Sequence, residues 1–168
     1  MSTVQNSKNT MVTSELFQKW VNASPRVSAF GDVIKDAAQA FLSQGIPTTK
    51  HEEWKYTNVA KLANTGFEFS AINNTLKKDD VKEMKVTADA VIVVVENGII
   101  NKEASSMDTL PKGIHIGSIH DLAENAEVKK HFLHHADYKT EPFVALNTAT
   151  FSDAVCILAD ANVEMETP

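Results

Sequence analysis

The chain has 168 residues, 43% of them hydrophobic and 23% charged, a balance that suits one large or two small globular domains and excludes a disordered polymer. A formal charge of −6 argues against a nucleic-acid surface, which needs basic side chains to neutralise phosphates. One cysteine excludes an internal disulfide, and the sequence holds neither a run of about eighteen apolar residues nor an apolar secretory core near Met1; the expected address is the cytoplasm.

Taken in chain order, residues 1–13 are polar and read as a disordered tail. From 14 to 65 the pattern is helical. Leu16, Phe17, Trp20 and Val21 make two i,i+4 pairs on one face. Ser24 offers an N-cap with Pro25 at the first helical position, and Val27, Phe30, Ile34, Ala37 and Phe41 recur as one apolar stripe. Gly45 and Pro47 stop that helix. Thr49 with Glu52 then predicts a capping box and a further helix with Trp54, Val59 and Leu62 inward.

Residues 66–137 mix strand and helix. The β-branched run Ala90–Val95 predicts a strand buried on both faces, and Asn97-Gly98 before Ile99-Ile100 predicts a hairpin, because both turn residues must accept positive φ. Pro111-Lys112-Gly113 marks a turn into the strand Ile114-His115-Ile116, with His115 toward solvent. Ser118 and Asp121 predict the start of a helix through Leu122, Val128 and Phe132. Beyond Tyr138, Pro142 precedes the apolar segment Phe143–Leu146. Val155–Leu158 and Val163–Met165 read as strands about a turn at Asp160–Asn162, leaving an unpaired sheet edge.

Candidate chemistry is sparse, and no catalytic, cofactor-binding or metal residue is assigned. Cys156 sits among apolar neighbours and reads as a small buried hydrophobe; an iron–sulfur cluster ordinarily needs several thiolates. His131 and His135, spaced i,i+4 with His134 between them, fit either a metal pair or cations capping the last turn of a helix, the second reading being preferred for want of a third ligand. Glu52 and Glu53 diverge by about 100° on a helix and do not make an acid/base pair. Trp54 and Tyr56 are expected to pack the helical layer or to meet a partner, and Lys77-Lys78-Asp79-Asp80 to be a solvated loop or helix start. No phosphate-binding glycine loop is present.

Three segments carry a resemblance. Gly45–Leu62, GIPTTKHEEWKYTNVAKL, resembles the N-terminal signature of the SufD-type proteins of iron–sulfur cluster assembly. Val93–Glu124 resembles that family's Val-Asn-Gly hairpin, variable loop and Leu-Pro-x-Gly-Val strand. In Pro142–Pro168, the residues Leu146, Asn147, Ala149, Phe151, Ser152, Asp153 and Pro168 fit the stretch entering the family's β-helix core. Ala154 replaces the usual Gly, and Ala159-Asp160-Ala161 the usual Pro-Lys-Gly.

The resemblance implies an α+β fold: an N-terminal helical region packed on a small mixed sheet, with 138–168 as the first strands of a truncated β-helix. Because family members are longer, it implies the N-terminal portion of a SufD-like subunit, a non-catalytic scaffold component of a SufBCD-like complex. Its implied partners are a SufB-like subunit and a SufC-like ATPase, with neither nucleic acid nor membrane, no cofactor in this portion, and homo-oligomers possible through exposed terminal strands. The alternative is a small metal-binding protein or enzyme centred on His131, His134 and His135.

Overall fold

The computed structural model describes residues 15, 19–20, 27–65, 73–107, 110–166 and 168. The tail 1–13, the apolar residues Leu16, Phe17 and Val21, and the Ser24-Pro25 helix start lie outside them. Helices and small antiparallel sheets together give an α+β chain. It divides into two compact units, each discontinuous in sequence: 1–70 with 130–151, and 71–129 with 152–168. No described helix is long and apolar enough to cross a membrane.

Among the described residues of the first unit, α1 (Gly31–Gln44) packs on α5 (Pro142–Thr150). The expected stripe is real: Val27, Phe30, Ile34, Ala37 and Phe41 are all buried. Gly45 ends α1 with φ +70°, its N–H donating to Phe41 O at 2.7 Å. The core joins Ala37 and Phe41 to Ala145 and Ala149 of α5, and the small alanines let the two backbones approach closely. Beyond the helix end, the Gln44 amide donates to Tyr138 O and Lys139 O at 3.2 and 3.1 Å. Ring contacts extend this core, Phe132 meeting both Phe30 and Phe151 at centroid distances of 5.0 and 5.4 Å.

Two expectations change here. The helix predicted from Thr49 to Leu62 is two short 3-10 turns, Glu52–Trp54 and Ala60–Asn64. His51, not Thr49, precedes the first, and its Nδ1 lies 3.1 Å from Thr48 N. Local side-chain bonds outcompete a continuous helix, with Asn58 Oδ1 accepting from Ala60 N at 3.0 Å to start the second turn. The segment Phe143–Leu146, expected at the entry to a β-helix, lies inside α5. Pro142 occupies its first turn, and Ala145 and Ala149, one turn apart, turn the same face to α1.

Among its described residues, the second unit holds two separate two-stranded antiparallel sheets, not the single mixed sheet expected. In the first, β1 (Val95–Glu96) and β2 (Ile99–Ile100) flank Asn97 at φ +51° and Gly98 at φ +82°, the predicted hairpin turn. The strand expected across Ala90–Val94 does not pair as a ladder. Ile92 N and Val94 N donate instead to the hydroxyls of Ser106 and Ser105, each at 2.9 Å. Backbone bonds complete the pairing without a ladder: Ile92 O and Val94 O accept from Ser106 N and Asn101 N at 2.8 and 2.9 Å, and Val91 N donates to Pro168 O at 2.8 Å. Val94 is buried with Val81 and Ala104, but Val95 is half exposed, so burial on both faces does not hold.

In the second sheet, β3 (Ile114–Ser118) pairs with β4 (Val155–Ala159) over five positions, Ile116 opposite Ile157. The strand expected at 155–158 therefore has a partner along one side. Val163–Met165 forms no strand; it folds back after the Asp160–Asn162 turn, and Val163 packs so near Gly113 that a Cβ there would stand 2.8 Å from Val163 Cγ2. The single helix expected from Ser118 to Phe132 is two, α3 (Ile119–Leu122) and α4 (Ala126–His131). The Ser118 hydroxyl accepts from His120 N at 3.1 Å, as an N-cap. Asn125 interrupts the helix because its Oδ1 accepts from Glu127 N at 2.9 Å, a fresh start. A third short helix of this unit, α2 (Lys78–Val81), places Val81 in the core. Its Asp80 carboxylate accepts from Lys77 N at 2.8 Å, the helix start expected at Lys77–Asp80.

Candidate functional site

Among the described residues, five places hold reactive side-chain types, and each resolves into a definite role. The first is the histidine group. α4 ends at His131, and Leu133 turns the chain with φ +64°, so His131 and His135 do not share a helix face. The turn nevertheless brings their rings together, 5.6 Å between centroids and 12° from parallel. Lone pairs lie in the ring planes, so stacked parallel imidazoles aim them side by side instead of converging them on one ion. His134 donates its N–H to His131 O at 3.3 Å. Among the described residues no group of three or more His, Cys, Asp or Glu is placed to hold a metal.

These two histidines line an open pocket of about 540 Å³. Phe132, Leu133 and Ala136 from the turn, with Phe143 and Val144 from α5, give it apolar walls, and Asn147 and Thr148 add polar atoms. Pro142, nine residues after Leu133, was the one sequence signal near this pocket; nothing in the sequence marks the Leu133 turn.

The second place is a serine, a histidine and an aspartate that the sequence reading did not group. Ser118, His120 and Asp153 lie within one network of the second unit. The Ser118 hydroxyl donates to Asp153 Oδ1 at 2.5 Å, while His120 Nε2 lies 2.8 Å from Ser152 O. A nucleophilic serine requires its proton to face an imidazole base. Here it faces a carboxylate, and the imidazole is turned to a backbone carbonyl. The network is structural.

Cys156 is the third. It is buried opposite Gly117 in the β3/β4 ladder, and burial, helped by the Asp153 carboxylate, pushes its thiol above the ordinary range. A thiol held neutral is a poor nucleophile and a poor ligand.

The fourth is Glu96, whose carboxylate accepts from Thr75 N and Oγ1 at 2.8 and 2.6 Å, from Leu76 N at 3.3 Å and from Asn101 Nδ2 at 2.9 Å. These donors, the Thr75 hydroxyl foremost, hold its pKa down at about 2. At neutral pH it is an ionised clamp on the residues before α2.

The fifth is the Glu-Glu-Trp-Lys-Tyr signature. Trp54 turns inward and meets Phe143 edge-on at 5.0 Å. Tyr56 is 91% exposed, with Lys55 Nζ 5.5 Å from its ring centroid. Glu52 and Glu53 are exposed. Of the two aromatics expected to pack or to meet a partner, one packs and one stands in solvent. His115 is exposed on β3, the face expected for it.

Comparison with known proteins adds one finding. No curated protein matches the chain significantly. A family model described as the SufBD protein N-terminal region matches residues 15–168, taking in all three segments that carried the resemblance. The chain belongs to that family, the SufBD N-terminal region, and membership implies involvement in iron–sulfur cluster assembly.

Proposed function

We propose that the chain is the N-terminal portion of a SufD-type subunit, a non-catalytic scaffold component of a cytoplasmic SufBCD-like complex, working through contacts with a SufB-like subunit and a SufC-like ATPase. The observation that carries this reading is the family match across 15–168. The choice of SufD over SufB draws on the Gly45–Leu62 segment. The site chemistry is compatible: the serine is hydrogen-bonded to a carboxylate, the thiol is buried and neutral, and the stacked imidazoles do not converge on an ion. Terminal strand β4 also offers a route to self-association, since Val155 and Ile157 are exposed on it, Ile157 at 66%.

Co-expression of the complete gene product with tagged SufB-like and SufC-like proteins tests the reading. Co-elution with both supports it. Co-elution with a SufD-like subunit in place of the SufB-like one would make this the SufB-type member, and no co-elution, or a small-molecule turnover by the purified product, would overturn the scaffold role. Stoichiometric zinc or iron removed by H131A and H135A would favour the metal-binding alternative.

A further inference from the structure

Thr148 and Thr150 stand two residues apart on α5, and their hydroxyls are used differently. The Thr150 hydroxyl donates to Leu146 O, four residues back, at 2.7 Å, the usual outlet for a threonine inside a helix. The Thr148 hydroxyl has no hydrogen-bond partner among the described residues, although Thr148 is only 5% exposed. Among the same residues, no side-chain nitrogen or oxygen is both sealed from solvent and unpartnered. The Thr148 hydroxyl therefore keeps an opening, and that opening is the pocket of about 540 Å³ that Thr148 lines. An unpaired hydroxyl in so confined a place is unfavourable, and a ligand that pairs with it removes the penalty.

The rest of the lining defines the ligand. On α5 the lining residues form two i,i+4 rows, Phe143 with Asn147 and Val144 with Thr148. This wall is apolar toward Pro142 and polar toward Thr150. Phe132, Leu133 and Ala136 supply the other wall, to which the stacked His131 and His135 add flat ring surface. Leu133 holds φ +64°, a strained conformation for a branched side chain, and such strain gathers at ligand clamps. Among the described residues no Asp, Glu, Lys or Arg lines the pocket, so a charged ligand would lose water without gaining a counter-ion. A volume of roughly 300–1,000 Å³, apolar walls and a few placed polar atoms are the usual form of a small-molecule site.

We propose that this pocket binds a small uncharged molecule with an aromatic or branched apolar body and a single hydroxyl. The body lies between Phe132, Leu133, Phe143 and Val144, and the hydroxyl bonds to Thr148 Oγ1 beside the Asn147 amide. This goes beyond the scaffold role and does not depend on it.

The test uses 2-naphthol and 2-methylnaphthalene, alike in shape and differing in the hydroxyl. Each is titrated against the full chain loaded with the neutral dye N-phenyl-1-naphthylamine, whose fluorescence reports displacement. Both should compete at one saturable site. T148V, which removes the hydroxyl and keeps the shape, should weaken 2-naphthol roughly fivefold, the worth of about one hydrogen bond, and leave 2-methylnaphthalene unchanged. Without ligand, T148V should keep or raise the melting temperature, because it deletes an unpartnered group. V144W should exclude both compounds. Absence of saturable binding by the unaltered chain, equal loss of both compounds or undiminished 2-naphthol binding in T148V, a lowered T148V melting temperature, or retention of both compounds by V144W would each overturn the assignment.

Discussion

The Ser118 hydroxyl donates to the Asp153 carboxylate across the end of the β3/β4 ladder, where Ser118 lies opposite Val155. The same carboxylate accepts from Ile100 N at 3.1 Å and from Ala154 N at 2.8 Å. One side chain thereby ties the hairpin, β3 and the start of β4 together. Asp153→Ala leaves the Ser118 hydroxyl and the Ile100 amide without that acceptor. It should lower stability by about 1–3 kcal/mol, read as a reduced urea midpoint at unchanged slope. Asp153→Asn, which keeps a carbonyl acceptor, should recover part of the loss.

Glu96 makes acid sensitivity predictable in sign. Its folded pKa of about 2 lies below the ordinary glutamate value of 4.5, so the stability it contributes is fully present above that ordinary value and drains away as pH falls toward the folded one. A melting-temperature profile should show an acid limb across this interval. In Glu96→Gln the limb should be flatter, and an unaltered limb would remove the clamp role from Glu96.

The α1/α5 contact should be intolerant in both directions. Phe41 is fully buried against Ala145 and Ala149, so Phe41→Ala should cost about 3–5 kcal/mol. Ala145→Leu forces a branched side chain into a close helix contact and should cost about 1–3 kcal/mol. Thermal denaturation followed by far-ultraviolet circular dichroism measures both.

Cys156 should be slow to react in the folded chain and fast in denaturant. Burial raises its pKa, and its β3/β4 position hides it. Alkylation by iodoacetamide followed by mass spectrometry at neutral pH should find it unmodified natively and fully modified in guanidinium. Rapid native labelling would show that β4 opens readily.

Much of this fold was readable from local rules. The α1 stripe, the Asn97-Gly98 turn and the Ser118 cap each depend on residues within a few positions of one another, and each is present. The failures share a cause. Ala90–Val94 has strand composition, but the N–H groups of Ile92 and Val94 find hydroxyls on Ser106 and Ser105, partners that no propensity signals. Thr49 and Glu52 have capping-box spacing, yet Trp54 is drawn to Phe143, far along the chain. Phe143–Leu146 reads equally well as helix or strand until the facing alanine and phenylalanine of α1 are known. The pocket was illegible for the same reason, since its two walls join only in the folded unit.

The pairing of α1 with α5 sets a timing problem for synthesis. Gln44 and the Tyr138 carbonyl it holds are 94 residues apart, so at ordinary translation rates α1 waits roughly 5–20 seconds for its partner. Through that interval the apolar side of the nascent helix is bare. A holdase that shelters it, released once α5 emerges, would raise the yield of folded protein more than any agent acting on the finished chain.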